Sequence, residues 1–276
     1  MLSLRPLFLA PARLLMGLLF LAPLIIVFVY SFLTRGAYGG QSLPLTAESF
    51  ARLADPIYLR IVFRSFWIAG VSTVICVLLG FPLALFIARS RRRRNLWLGL
   101  VMLPFWTSFL VRTYAWMFLL RDTGLLNTIL LSAGLIRGPL PLLYNDFAVV
   151  LGLVYGYLPF MVLPVYAALE RIDPSLLEAA ADLGAAPMTT LVRVIVPLSR
   201  PGIVAGAVLV FIPCLGAYLT PDLLGGGKSI LIGNVVQNQF TNARDWPFGA
   251  ALSLAVMAVV MVLLWAFRRG DREGFL

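Results

Sequence analysis

Residue types that commonly carry catalysis are scarce in this chain. It contains no histidine, and its two cysteines, Cys76 and Cys214, fall inside apolar runs. The sequence therefore supports neither a disulfide framework nor a His/Cys metal site. The long apolar runs also contain no Asp or Glu, which argues against a membrane enzyme and against a secondary transporter. We expect no catalytic residue and no metal in this chain.

One stretch resembles the end of a phosphate-binding loop. Gly227-Lys228-Ser229 matches the last three positions of that motif, but Asp222 stands where the motif needs its first glycine. No predicted strand precedes the stretch. The sequence therefore predicts no nucleotide site and no cofactor in this chain, and a flexible outer loop at these residues.

A pair of acidic residues has a spacing that suggests docking. Glu178 and Asp182 lie four residues apart in residues 173–201, the only long polar stretch between two apolar runs. On a helix they would share a face and repel each other by about 0.2 to 0.5 kcal/mol unless a cation neutralised them. Because no Lys or Arg in the stretch has the helical spacing to do so, we expect this face to contact another protein.

Helix signals on both sides of the acidic pair predict the element that carries it. Asp173 can cap a helix, Pro174 suits the first helical position, and Gly184 suits a left-handed stop. These signals predict about three turns of helix. Pro187 then opens a second short helix, which we expect to finish before Pro197. The predicted unit is a helix, a glycine turn and a second helix.

The composition places most of the chain in a membrane. Hydrophobic residues make up 61%, charged residues only 12%, and the mean hydropathy is +0.95. The net charge of +10 reflects arginines at membrane boundaries better than nucleic-acid binding. Six apolar runs each have the roughly 20 residues that a hydrocarbon core of about 30 Å requires. They are residues 14–33, 65–88, 96–120, 147–169, 201–221 and 247–267. The sequence predicts an all-α integral membrane protein, one domain over residues 1–276, with a loop at 170–200.

The distribution of basic residues predicts the orientation. Thirteen Lys and Arg residues fall on the side of the termini and the loop at 170–200, and eight fall on the other side. Basic residues favour the cytoplasmic side of a membrane. We therefore expect both termini and the loop to be cytoplasmic.

Arg112 is the one charged residue inside an apolar run. A charge at that depth costs at least about 2.5 to 3.5 kcal/mol, so it should face a polar interior or a partner. Three roles stay open: the guanidinium extends to the outer interface, pairs with Asp122 or Asp222, or contacts a solute.

A candidate path for a solute can be drawn from aromatic and acidic residues near the predicted span ends. Aromatic rings there commonly form a belt at the membrane surface, but they also attract ammonium groups by about 0.5 to 2 kcal/mol. Asp222 lies at a span end, where a carboxylate could meet a cation entering a pore. The candidates are Trp106, Arg112, Tyr114, Tyr218 and Asp222. Separately, Gly202 and Gly206, four residues apart, predict the close approach of another helix.

The loop resembles the EAA loop of type I ABC importer permeases. The family pattern is EAA, three residues, G, nine residues, I, one residue, LP, and here valine replaces the Ile and the Leu. The resemblance implies a cytoplasmic loop whose second half is a coupling helix seated in a cleft of an ATP-hydrolysing subunit. The implied coupling residues are Glu178, Ala179, Ala180, Gly184, Ala186, Pro187, Met188, Leu191, Arg193 and Pro197.

Further runs are similar to the permeases of spermidine/putrescine importers. They are LPFWTSFLVRTYAW at 103–116, RDTGLLN at 121–127, LTPDLLGGG at 219–227 and IGNVVQNQF at 232–240. The resemblance implies a bacterial inner-membrane complex in which a second permease completes the pathway. It also implies two cytoplasmic ATPase subunits that bind ATP and Mg, and an external solute-binding protein. Importers of this type for another small organic solute, such as an amino acid derivative or an opine-like compound, remain an alternative, and a secondary transporter is a weaker one.

Overall fold

The computed structural model describes residues 5–90 and 92–273. The chain divides into two compact units, a terminal unit of residues up to Arg60 and from Val235 onward, and a central unit of Ile61–Asn234. The central unit carries Arg112 and the loop at 170–200, so it contains the candidate site.

The terminal unit joins two long helices to a small β-hairpin. Helix α1 packs against α13, and the hairpin strand β1 and helix α2 also contact α13. The hairpin is antiparallel and pairs Thr34 with Ser42, with the Thr34 hydroxyl bonded to the Ser42 carbonyl at 2.9 Å. The hydropathy pattern did not predict this hairpin. The elements are α1 (Arg5–Ser31), β1 (Leu33–Arg35), β2 (Gln41–Leu45), α2 (Glu48–Leu53), α12 (Ile232–Thr241) and α13 (Trp246–Glu273).

The central unit is entirely helical in the residues that the structure describes. Its helices are α3 (Pro56–Arg89), α4 (Arg94–Met102), α5 (Phe109–Leu120), α6 (Leu125–Ser132), α7 (Asp146–Glu170), α8 (Pro174–Asp182), α9 (Pro187–Thr190), α10 (Val196–Gly216) and α11 (Leu219–Gly225). A 3₁₀ turn at Leu103–Trp106 follows α4, and a π-helical segment at Leu191–Ile195 joins α9 to α10.

Five described helices are long and apolar enough to cross a membrane. They are Arg13–Ser31, Pro56–Arg89, Asp146–Glu170, Pro187–Gly216 and Trp246–Trp265. Arg94–Trp106 and Phe109–Ser132 form a sixth span if that bent pair is counted as one. On that count the prediction of an all-α integral membrane protein with six transmembrane helices is confirmed.

The third predicted span, residues 96–120, is not one straight helix. The chain bends by 88° between Trp106 and Phe109. Pro104 lacks the amide hydrogen that an interior helical residue donates. Its carbonyl accepts both the amide of Thr107 at 3.3 Å and the Thr107 hydroxyl at 2.8 Å, which closes the turn locally. Thr107 and Ser108 are then extended, and α5 starts in a new direction.

Helices α7 and α10 make the most extensive contact between two helices of the central unit. A Cβ on Gly202 would lie 2.5 Å from the Ala168 Cβ and 2.6 Å from the Pro164 carbonyl oxygen. A Cβ on Gly206 would lie 2.7 Å from the Met161 Sδ atom. The close approach predicted from the two glycines is therefore confirmed, and its partner is α7.

The prediction that the second short helix ends before Pro197 is wrong. The chain stays helical from Pro187 to Gly216, through the π-helical segment. A π segment widens one turn by a residue, which relieves the clash that a proline ring makes with the preceding turn. As a result, α9 is the first turn of the membrane helix and not a separate element.

Candidate functional site

The first half of the loop folds as its residue types dictate. The Asp173 carboxylate accepts the Ser175 amide at 2.9 Å, and this backbone hydrogen bond lowers the pKa of Asp173. Pro174 is the first residue of α8. Gly184 has φ +72°, and the Ala185 amide donates to the Ala180 carbonyl at 3.0 Å, which closes the helix end. The predicted cap and left-handed stop are confirmed.

The loop presents a largely exposed surface. Of the ten predicted coupling residues, Ala180 and Leu191 are half-buried; exposed are Glu178, Ala179, Gly184, Ala186, Pro187, Met188, Arg193 and Pro197. Leu183 is 88% exposed and Met188 68% exposed, which is unusual for large apolar side chains beside a polar turn. None of the ion pairs among the described residues involves Glu178 or Asp182. The loop therefore offers two apolar side chains and an unneutralised acidic pair.

Two cavities separate the loop from the ends of the membrane helices. One of 490 Å³ lies between α8, α9 and the end of α3, and its walls include Leu85, Arg89 and Met188. The other, of 560 Å³, is lined in part by Arg94 and Glu170, which form an ion pair at 2.6 Å. Open space therefore separates parts of the loop from the ends of the membrane helices.

The connection from the loop into the membrane is a continuous helix. Because α9 continues through the π-helical segment into α10, Met188 lies in the first turn of one continuous 30-residue helical rod, Pro187–Gly216. Gly202 and Gly206 pack this rod closely against α7. The loop is therefore continuous with the helix that packs against α7.

Arg112 lies just beyond the bend, against two aromatic rings. Its guanidinium carbon is 5.1 Å from the centre of the Phe105 ring and 5.5 Å from that of Phe109. The Nε and Nη1 atoms are buried and have no hydrogen-bond partner in the described part of the chain. The structure therefore shows no pairing of these two atoms with Asp122 or Asp222.

The other path candidates separate into two groups. Trp106 is 87% exposed and lies on the bend, and Tyr114 is exposed on α5. Tyr218 and Asp222 instead share one partner, because the Asn234 amide donates to the Tyr218 carbonyl at 2.8 Å and to the Asp222 carboxylate. Sequence reasoning missed Asn234, because residues 232–240 contain four Asn and Gln residues and nothing in their spacing distinguishes this one.

Sequence reasoning also missed a cluster of polar side chains around Arg64. Arg64 of α3 binds Asp146 of α7 at 2.6 Å and the Lys228 carbonyl at 2.8 Å, and the Ser229 hydroxyl also bonds Asp146. The stretch that resembled a phosphate-binding loop is thus held by an arginine through a backbone carbonyl. The partners are more than 80 residues apart in sequence, so the spacing of nearby residues does not predict the cluster.

Comparison with known proteins gives consistent results. The model of a family described as the binding-protein-dependent transport system inner membrane component matches residues 76–272. The chain is 42% identical over 253 residues to the spermidine/putrescine transport system permease protein PotB of Haemophilus influenzae, covering 91% of this chain and 88% of that protein. It is 42% identical over 251 residues to PotB of Escherichia coli, covering 91% of each.

A solved structure shares the fold. A chain in the crystal structure of a bacterial ABC transporter involved in the import of the acidic polysaccharide alginate superposes with a TM-score of 0.73. The two chains are 18% identical, and the match covers 97% of this chain and 96% of the other. At this identity the likeness concerns the fold alone.

Proposed function

Because this chain belongs to the family of inner membrane components of binding-protein-dependent transport systems, we propose that it is the permease of a bacterial polyamine importer. The observation that carries the permease role is the exposed loop with its unneutralised acidic pair, joined to a membrane helix as one rod. The cargo rests on the similarity to permeases named for spermidine and putrescine over nine-tenths of the chain. The chain is a multi-pass inner-membrane subunit, and its termini lie in the cytoplasm.

In this proposal the loop docks into a cytoplasmic ATPase subunit. Leu183 and Met188 enter an apolar cleft, and Glu178 and Asp182 meet cations of that subunit. The ATPase, present in two copies, binds ATP and Mg. Its closure pushes on α9, and the rod Pro187–Gly216 carries that displacement into the membrane.

The remaining partners belong to the same proposal. Six spans hardly enclose a path for an extended solute, so a second permease completes the pathway and a solute-binding protein delivers the cargo from outside. Tyr218 and Asp222 supply a ring and a carboxylate for an entering ammonium group. An aromatic face attracts such a cation by about 0.5 to 2 kcal/mol.

The loop is tested by substitutions in the assembled complex in proteoliposomes. We expect Glu178→Gln and Gly184→Val to lower spermidine uptake and spermidine-stimulated ATP hydrolysis by about tenfold or more, a typical coupling between distant sites. Val at φ +72° is strained, so Gly184→Val distorts the turn. Normal coupling in both variants would refute the assigned role of the loop.

Two matched controls separate docking from general damage. Glu48 is an exposed glutamate, and Gly134 is another left-handed glycine with φ +68°, both in predicted outer loops. We expect Glu48→Gln and Gly134→Val to keep activity within about twofold, as is usual for surface changes.

A different cargo has one observation in its favour. The guanidinium of Arg112 disfavours a polycation nearby and favours a solute with a carboxylate, such as an amino acid derivative or an opine-like compound. A thermal-shift screen of the associated binding protein with spermidine, putrescine and such solutes decides between them. Binding of only a carboxylate-bearing solute would overturn the polyamine cargo and leave the permease role intact.

A further inference from the structure

We propose that a carboxylate of the second permease subunit pairs with Arg112, at a subunit interface formed around the bend between α4 and α5. The inference rests on the proposed function, which supplies that second subunit. The pairing would supply the acceptor that the described residues of this chain do not offer to Arg112.

The first step is the hydrogen-bonding state of the guanidinium. An arginine side chain has five N–H donors and no acceptor, and it stays charged at any physiological pH. Two of its nitrogen atoms, Nε and Nη1, are buried with no partner within the described residues. Buried donors on a charged group are almost always paired, so these two nitrogens need an acceptor from beyond the described residues.

The second step excludes acceptors within the central unit. Arg112 interacts with the rings of Phe105 and Phe109, which attract the charge but accept no conventional hydrogen bond. It also interacts with the side chain of Tyr157, which makes no hydrogen bond to the buried Nε or Nη1 atom. The Asp222 carboxylate accepts from Asn234 and likewise makes no hydrogen bond to either nitrogen. Asp122 lies ten residues further along, roughly 15 Å away at the rise of an α-helix.

Two other carboxylates of the unit are also engaged. Asp146 is bonded to Arg64 and Glu170 to Arg94, each at 2.6 Å. Both ion pairs lie at the ends of α7, whereas Arg112 packs near its middle, beside the ring of Phe109, which lies against Gly156. Neither carboxylate can serve Arg112 without leaving its own arginine unpaired.

The third step concerns the surface around Arg112. Trp106, Val111 and Phe118 are exposed large apolar side chains on either side of it along the chain. Lipid could cover such side chains, but it cannot form hydrogen bonds with the backbone groups where a helix is interrupted. Irregular backbone at membrane depth occurs only where protein buries it or where it lines a water-filled cavity. The extended residues Thr107 and Ser108 therefore indicate that protein or a water-filled cavity, and not lipid, lies against this face.

The fourth step identifies the chemistry of the covering partner. A polyamine is a cation with no free acceptor, so it cannot satisfy Arg112, and lipid acyl chains carry no acceptor either. Charged residues within membranes pair with one another or with backbone carbonyls. A carboxylate both accepts the hydrogen bonds and cancels the charge, and it thereby allows a cationic cargo to pass the same level of the membrane.

The contact is mapped in the assembled importer by a photo-crosslinking residue. We replace the exposed Val111, beside Arg112, with p-benzoylphenylalanine, so that the arginine is retained. We expect the residue at 111 to crosslink to the second permease, within a segment that contains an Asp or Glu. Crosslinks only to lipid, to the binding protein or within this chain would overturn the proposal.

A double substitution tests the charge pairing. Arg112→Met alone leaves the partner's carboxylate buried and unpaired, so we expect complex yield and cargo-stimulated ATP hydrolysis to fall about tenfold or more. A combination with an apolar replacement of the crosslinked carboxylate should restore both to within about threefold, because an apolar pair can replace a buried ion pair. Absence of rescue would refute the pairing.

Failure of this inference is distinguishable from failure of the proposed function. If no second permease copurifies with the native chain, the importer assignment fails before any substitution is made. If the complex forms and transports spermidine but neither the crosslink nor the rescue is found, only the role of Arg112 is wrong. If Arg112→Met abolishes binding of a carboxylate-bearing solute instead, that solute and not the second permease is the partner of Arg112.

Discussion

Replacing Gly202 with alanine should destabilise the central unit, although alanine is the better helix former. The new methyl group would meet the Pro164 carbonyl oxygen at 2.6 Å and the Ala168 Cβ at 2.5 Å, shorter than real Cβ contacts. The carbonyl belongs to the backbone of α7 and cannot rotate away, so α7 and α10 must separate. A gap of about 0.5 to 1 Å forfeits a quarter to a half of the dispersion energy of the atoms that it separates.

The magnitude follows from two opposing contributions. Overpacking costs about 1 to 3 kcal/mol, and the change from glycine to alanine in a helix returns about 0.5 to 1 kcal/mol. The difference is a net loss of up to about 2.5 kcal/mol. Its midpoint, about 1.2 kcal/mol, corresponds to a fall in Tm of about 2 to 5 °C for a chain of this size.

Two other glycines provide a graded comparison. Gly70 in α3 has nothing within 4 Å of an added Cβ, so Gly70→Ala should raise Tm by about 1 to 4 °C. Gly152→Ala would meet only side-chain ends, the Leu224 Cδ1 at 2.5 Å and the Thr220 Cγ2 at 2.8 Å. Side chains can shift, so its effect should lie between those of Gly202→Ala and Gly70→Ala.

The measurement is thermal unfolding of the purified chain in detergent, followed by its intrinsic fluorescence, for which six tryptophans are available. Opposite signs for the Gly202 and Gly70 variants support the close approach of α7 and α10. A change in Tm of the same sign and size for both variants would refute it, because the two sites are expected to differ only in what surrounds the added methyl group.

Two further predictions concern polar groups. Asp173→Ala should lower the stability of α8, measured as faster amide exchange in that helix, because its N-terminal cap is lost. Since the folded-state pKa of Asp173 is lowered, the cap contributes fully above its ordinary pKa and weakens as pH falls through the folded value. In the terminal unit, Asp245→Asn should cost about 1 to 2 kcal/mol by thermal unfolding, because the buried Asp245 accepts from the half-exposed Arg52 at 2.8 Å. Glu170→Gln, which breaks the exposed pair with Arg94, should cost less than about 1 kcal/mol; an equal loss would contradict the role given to burial.

Features that depend on neighbouring residues could be predicted from the sequence. The cap at Asp173 and the left-handed stop at Gly184 arise from a residue and the backbone within a few positions of it, and both are present in the structure. The close packing at Gly202 was predicted for a similar reason, since small residues at helical spacing leave a groove. The partner of that groove, α7, could not be named.

Features that depend on distant residues could not be predicted. The bend at Thr107 lies inside an apolar run, and hydropathy records the polarity of a run but not its direction. The aromatic contacts on both sides of the bend, Phe105 with Phe160 and Phe109 with Tyr157, join residues about fifty positions apart. The continuation of the helix through Pro197 was likewise missed, because it depends on a π-helical turn that no local signal announces.

By itself, the sequence determined which segments are apolar enough to cross a membrane and where the loop helix begins and ends. These properties are set by the polarity and backbone preferences of contiguous residues. Only the tertiary structure decided that the third span is bent by 88°, that α9 and α10 form one rod, and that Arg112 meets aromatic rings but, among the described residues, no acceptor for two of its nitrogens. These outcomes depend on which side chains meet across helices, and the order of residues along one helix does not contain that information.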